Sequence, residues 1–153
     1  MSDATELEWR ISGAEGEWYD RLTASQDLPA LAVDALLAGW DGPTLCVLAG
    51  EPAGAFGPHV GELFARAMVE VGRPVPTRPQ ARRAYVRYLA WLIDTGRVSA
   101  IDGAHRLERT QYWELDELGH VSGLVDEWAG GWGRTRDEVE REIRRTARAL
   151  IAN

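Results

Sequence analysis

Apolar residues recur three and four positions apart in one segment of this chain after another, and helix start and stop signals bracket each segment. Thr77 precedes Ala81, Ala84, Tyr85, Tyr88, Leu89, Leu92 and Ile93, and Gly96 follows them. Thr135-Arg136-Asp137-Glu138 has the form of a capping box ahead of Val139, Ile143, Ala147, Leu150 and Ile151. That period lines apolar side chains along one stripe of an α-helix, and the stripe must be buried against another element. Asp27 ahead of Leu28-Pro29 starts a helix over 28–38 that Gly39 stops, with Leu31, Ala32, Ala35, Leu36 and Leu37 on its stripe. A short helix over 43–49 stops at Gly50. Pro58 opens another over 58–71, which buries Val60, Leu63, Phe64, Ala67 and Met68.

Three stretches are less regular. Residues 5–11 alternate polar and apolar, which suits a short strand or an extended arm; with no second clear strand to pair with, the segment is an isolated edge or a helix start. Ser12-Gly13-Ala14-Glu15 matches a capping box, so a helix is expected from there to about Ser25. A helix from about Ser99 to Leu118, broken near Thr110, and another over 121–129 complete the series.

The expected fold is therefore all-α: a compact bundle of six to eight antiparallel-packed helices, with one short N-terminal extended segment. More than half the residues should be helical, and no sheet of three or more strands is expected. The stiff Arg73-Pro74-Val75-Pro76 loop divides a front helical layer from a back one. Neither half would bury enough core alone, so residues 1–153 are read as one domain. The last helix is expected to belong to the core and not to be a detachable arm.

Composition narrows the function classes. Every basic residue is arginine, so lysine Schiff-base chemistry and a P-loop lysine are excluded. Cys46 is the sole cysteine and cannot close an intrachain disulfide; its place in Leu45-Cys46-Val47-Leu48 predicts a small buried hydrophobe. The acidic start, Met1 to Glu6, lacks the basic and apolar regions of a signal peptide, and no apolar run spans a membrane, so a cytoplasmic location is expected. Residues 1–77 hold 4 Arg against 12 Asp+Glu, a net of −8, and residues 78–153 hold 13 Arg against 12, a net of +1. An acidic half disfavours nucleic acid and favours a basic partner, although the same charge also serves solubility.

Three carboxylate–histidine pairs stand three residues apart: His59 and Glu62, Asp102 and His105, Glu117 and His120. On a helix such residues share a face, and helical metal sites use that spacing. All three sit near expected helix ends, so capping and surface roles are expected instead, with no metal and no cofactor. No serine elbow, nucleotide fingerprint or catalytic residue can be assigned. Seven tryptophans are expected mainly to pack between helices. Trp132, in Ala129-Gly130-Gly131-Trp132-Gly133, is either an anchor folded onto the core or a contact residue. The candidate ligand or partner contacts are Trp132, Trp128, Trp113, His120, Glu117, His105 and His59. The arginine runs 78/82/83/87 and 141/144/145/148 are solvated helix faces or anion or partner sites.

Leu28-Pro29-Ala30-Leu31-Ala32, Ala35 to Asp41, Leu45 to Glu51, Ala84 to Gly96 and Gly103-Ala104 together resemble a loose group of small bacterial all-helical proteins. The likeness covers about half the chain and rests on apolar positions and helix stops. It implies a fold and an immunity-type or accessory role, and carries no functional residues. The expected function is binding of a protein partner through an acidic, aromatic-bearing face. The alternative is a small enzyme or ligand-binding protein of specialised metabolism, with a pocket between helices lined by Trp, Tyr, His and Glu.

Overall fold

A computed structural model describes residues 3–153; Met1 and Ser2, the beginning of the acidic N-terminal stretch, lie outside them. The described residues form eight helices and no strand: α1 (Ala4–Arg21), α2 (Leu28–Leu37), α3 (Pro43–Ala49), α4 (Pro58–Glu70), α5 (Arg78–Asp94), α6 (Ala100–Thr110), α7 (Asp116–Gly130) and α8 (Arg136–Ala152). The all-α reading holds, at 72% helix. Among the described residues no helix is long and apolar enough to cross a membrane.

Most boundaries follow local chemistry. The Asp27 carboxylate accepts from Ala30 N–H at the start of α2. Thr77 and Gln80 cap α5 reciprocally, through Gln80 N–H to Thr77 Oγ1 (3.3 Å) and Thr77 N–H to Gln80 Oε1 (2.9 Å). Thr135 and Glu138 do the same for α8, and hydrogen bonds from Thr135 hold the Glu138 carboxyl below its ordinary pKa.

The capping-box expectation fails at the N-terminus. Residues 5–11 are helical, capped by Asp3, and Ser12 lies inside α1 instead of capping it. Leu7, Ile11, Ala14 and Trp18 are all buried, at spacings of four, three and four. The alternation over 5–11 is one fragment of that longer helical stripe. α1 then stops at Leu22, whose φ of 53° breaks the helix three residues before Ser25. The break expected near Thr110 is present: α6 ends there, because Gln111 takes a left-handed conformation (φ 57°) and the chain turns to begin α7.

The chain divides into two compact units, Met1–Tyr85 and Val86–Asn153. The division falls inside α5 and not at the 72–77 loop. In the first unit α3 and α4 each pack on α2, α3 packs on α4, and α1 packs on α2 and α4. Leu7, Ile11, Leu28, Leu31, Leu45, Leu48, Phe64 and Met68 fill the core between them. In the second unit α6, α7 and α8 pack pairwise. The stripe of α8 (Val139, Ile143, Ala147, Leu150) is buried as expected.

The crossing of α1 over α5 within the first unit depends on Gly16. A Cβ there would lie 2.5 Å from the Ala81 carbonyl oxygen and 2.6 Å from the Tyr85 nitrogen, the two ends of one helical turn of α5. Gly16→Ala gains about 1 kcal/mol of helix propensity. It also drives a methyl into backbone that cannot rotate away, and overpacking of this kind costs about 1–3 kcal/mol or more. Net destabilisation is the expected result of urea denaturation, and a variant more stable than the parent would refute the close crossing.

Two packing expectations also need correction. Cys46 is exposed, and so is Val47. The seven-residue α3 buries Thr44, Leu45 and Leu48, which leaves the intervening positions in solvent. Leu37, at the last turn of α2, is exposed for the same reason: Leu28, Pro29, Leu31, Ala32 and Ala35 are buried and Leu36 packs against the core, while Leu37 points away from it.

Candidate functional site

The histidines pair with carboxylates other than those that share their spacing. His59 Nε2 lies 3.4 Å from Glu51 Oε1 across the loop before α4, not against Glu62. His105 Nδ1 approaches Glu108 at 3.4 Å, one turn further along α6, not Asp102. His120 Nε2 reaches Glu142 of α8 at 3.2 Å, while Glu117 accepts from Asn153. The i, i+3 spacing put each pair on one face, but a side chain from another segment lies closer to His59 and His120, and one from the next turn of α6 lies closer to His105. Among the described residues no group of three His, Cys, Asp or Glu could hold a metal ion.

The candidate tryptophans also separate. Trp132 is 61% exposed, so it is not an anchor in the core; its ring lies over Gly130 at the end of α7. That loop is fixed by Glu127, which accepts from Arg134 N–H and pairs with the Arg134 guanidinium. Trp128 is half-buried under the Arg136 guanidinium, 4.8 Å from the ring centroid. Trp113 is 59% exposed in the turn between α6 and α7. Arg78, Arg83 and Arg87 are exposed, and Arg78 and the half-buried Arg82 both donate to Asp20 Oδ1, at 2.9 and 3.0 Å. Arg148 pairs with Asp94, Arg145 with Glu142, and Arg87 donates to the Ile151 carbonyl near the end of α8.

A site that the sequence reading missed lies in the first unit. Trp18 at the end of α1, Leu22 and Ala24 after it, Leu28, and Ala55 to Pro58 with Val60 line a mainly apolar cavity of about 320 Å³, to which Thr23 and Gln26 add polar groups. Trp18 is held there by its fit against Gly61 of α4, where any Cβ would overlap the indole ring. The 51–57 loop is ordered: Gly54 N–H donates to Asp27 Oδ2 (2.9 Å) and Ala55 N–H to the Pro52 carbonyl. On the other side, Glu17 accepts from Ser25 N–H and Ser25 Oγ (3.0 and 2.7 Å) and so ties down the 22–26 turn. At the mouth stand Phe56, 89% exposed, and Leu22, 69% exposed. The only sequence sign of this site was a phenylalanine inside a Gly/Pro/Ala loop, where no periodicity accounts for it.

The cavity lining holds no histidine and no carboxylate. Ionisable groups on the segments that form it are Glu17, Asp20, Arg21, Asp27, Glu51 and His59, an excess of acid. A second concavity, along α6, is polar and is bounded by Arg97, Ser99, Asp102, His105, Arg106 and Arg109. A third, smaller one runs beside Glu15 and Arg73. The fold and these surfaces define an all-helical protein with an apolar cavity in its acidic unit. Comparison of the chain with protein-family models, curated proteins and solved structures returns no match.

Proposed function

We propose that this is a binding protein, and that the cavity beside Phe56 takes an apolar side chain of a basic protein partner. One observation carries the reading. A hydrogen-bonded loop holds Phe56 89% in water at the mouth of an apolar cavity, next to a second exposed apolar residue, Leu22. A phenylalanine in water forgoes about 1.5–3 kcal/mol of burial, so a loop that fixes it there is organised for contact. The charge on the surrounding segments supports the choice of occupant. Residues 1–85 hold 12 Asp+Glu against 7 Arg, a net of −5. An acidic rim accelerates encounter with a basic partner and rejects acidic ones.

Panning a random peptide library against the full chain tests this. The selected peptides should carry an aromatic or long aliphatic residue flanked by Arg or Lys. Phe56→Ser with Leu22→Ser should weaken them at least tenfold and leave the melting temperature within about 2 °C, since both side chains are already in solvent. Selected peptides that bind the double variant as well as the parent would end the proposal. A second reading, a small apolar ligand, is supported by the cavity volume, which falls at the lower end of the small-molecule range. It predicts saturable binding of apolar compounds that is lost on Trp18→Ala and retained in the Phe56/Leu22 variant.

A further inference from the structure

The concavity along α6 is independent of the Phe56 cavity and has the opposite chemistry. Asp102, His105, Arg106 and Arg109 are all exposed and follow one another at helical spacing along one face of α6. Arg97 and Ser99, from the turn before the helix, complete a groove of about 500 Å³. The Arg97 guanidinium lies over the Trp91 ring, 4.4 Å from its centroid, which sets its place at the wall. Arg106 and Arg109 have no ion-pair partner among the described residues. Eight of the other fifteen arginines do: Arg10, Arg21, Arg73, Arg78, Arg82, Arg134, Arg145 and Arg148 each meet a carboxylate. Two uncompensated guanidinium groups one turn apart repel each other. On a chain of net charge −7, their placement in a groove with a third arginine concentrates positive potential in a concave surface.

We propose that this groove binds a small hydroxylated phosphate monoester. Guanidinium groups match phosphate oxygens with paired donors, and a dianion offsets the two unpaired charges together. The groove is polar at both ends but not alike. Asp102 lies seven residues before Arg109, about 10 Å along the helix axis at 1.5 Å per residue. A carboxylate there repels a second phosphate and accepts a hydroxyl hydrogen, so the ligand has one anionic end and one hydroxylated end. The volume suits a small molecule. The groove-lining residues include no aromatic ring on which bases could stack, which argues against a single-stranded nucleic acid.

Isothermal titration of the full chain with glucose 6-phosphate, inorganic phosphate, sulfate and a short single-stranded oligonucleotide tests the assignment. Glucose 6-phosphate should bind more tightly than inorganic phosphate or sulfate. Arg106→Ala with Arg109→Ala should weaken it at least tenfold, with the circular-dichroism melt unchanged because both side chains are exposed. Asp102→Asn should weaken glucose 6-phosphate and leave inorganic phosphate unaffected. Arg141→Ala with Arg145→Ala removes the same two charges from α8 and should change nothing. Equal loss in the two double variants would reduce the effect to diffuse attraction and overturn the proposal. So would tighter binding of the oligonucleotide through Arg106 and Arg109, or no heat of binding with any probe.

Discussion

Replacing Arg73 with alanine should destabilise the first unit by about 3–5 kcal/mol at neutral pH, the usual cost of leaving a buried charge without its partner. Glu15 is buried in the middle of α1, and Arg73 reaches it from the loop after α4 with Nε at 2.7 Å and Nη2 at 2.6 Å. The same guanidinium also donates to Glu8 at 2.9 Å and lies over Trp40. Burial pushes the Glu15 carboxyl above its ordinary pKa, and Arg73 draws it only part of the way back. A carboxyl whose folded pKa is raised binds protons more readily in the folded than in the unfolded state, so its contribution to stability falls as pH rises through that interval. Removing Arg73 raises the folded value further. The penalty of Arg73→Ala should therefore shrink as pH falls below the ordinary carboxylate range and widen toward neutrality.

Urea denaturation of parent and variant at pH 4 and pH 7 checks both statements. A penalty below 1 kcal/mol at pH 7, or one that does not change with pH, would show that solvent already screens the pair. Replacing both partners, Glu15→Met with Arg73→Met, should recover most of the loss, because well-packed apolar pairs replace buried ion pairs at little cost.

The second large effect is expected in α8. Ile143 is 1% exposed at the centre of the stripe that α8 turns toward its unit's core. Ile143→Ala should cost about 2–5 kcal/mol, since the cavity left among packed helices collapses only in part. Thr135→Ala removes one cap hydrogen bond at an exposed helix start and should cost less, about 0.5–2 kcal/mol. The Arg148–Asp94 pair is too exposed to hold the helix: solvent screens such pairs to less than about 1 kcal/mol. A helix of 17 residues is marginal alone in water, so α8 persists because it docks on α6 and α7. Thermal denaturation of a chain ending at Gly133 separates this from a detachable arm. The truncated chain should lose the cooperative transition of residues 86–133, and a melt like that of the full chain would refute the docking.

Local chemistry was enough to place α2, α3, α4, α5 and α8. Their starts carry Asp, Thr or Pro, most of their stops carry Gly, and their stripes repeat at helical spacing, all properties of residues within one or two turns of each other. α1 was misread because Gly13 and Gly16 weaken a helix when counted by propensity. Gly16 is there for α5, whose backbone leaves no room for a Cβ, and that requirement comes from a segment 65 residues away. Spacing put each histidine on a face with a carboxylate, but the partner was decided by whichever side chain the fold brought closer, as with His120 and Glu142 across α7 and α8. Exposure at Cys46 and Trp132 likewise depended on which face of a short helix or loop its neighbours covered. The sequence by itself determined the helical class, most helix ends and the acidic balance, because these are sums over near neighbours. Only the tertiary structure decided where cavities open, which arginines stay unpaired along α6 and which phenylalanine stands in water, because each depends on groups distant in the chain meeting or failing to meet.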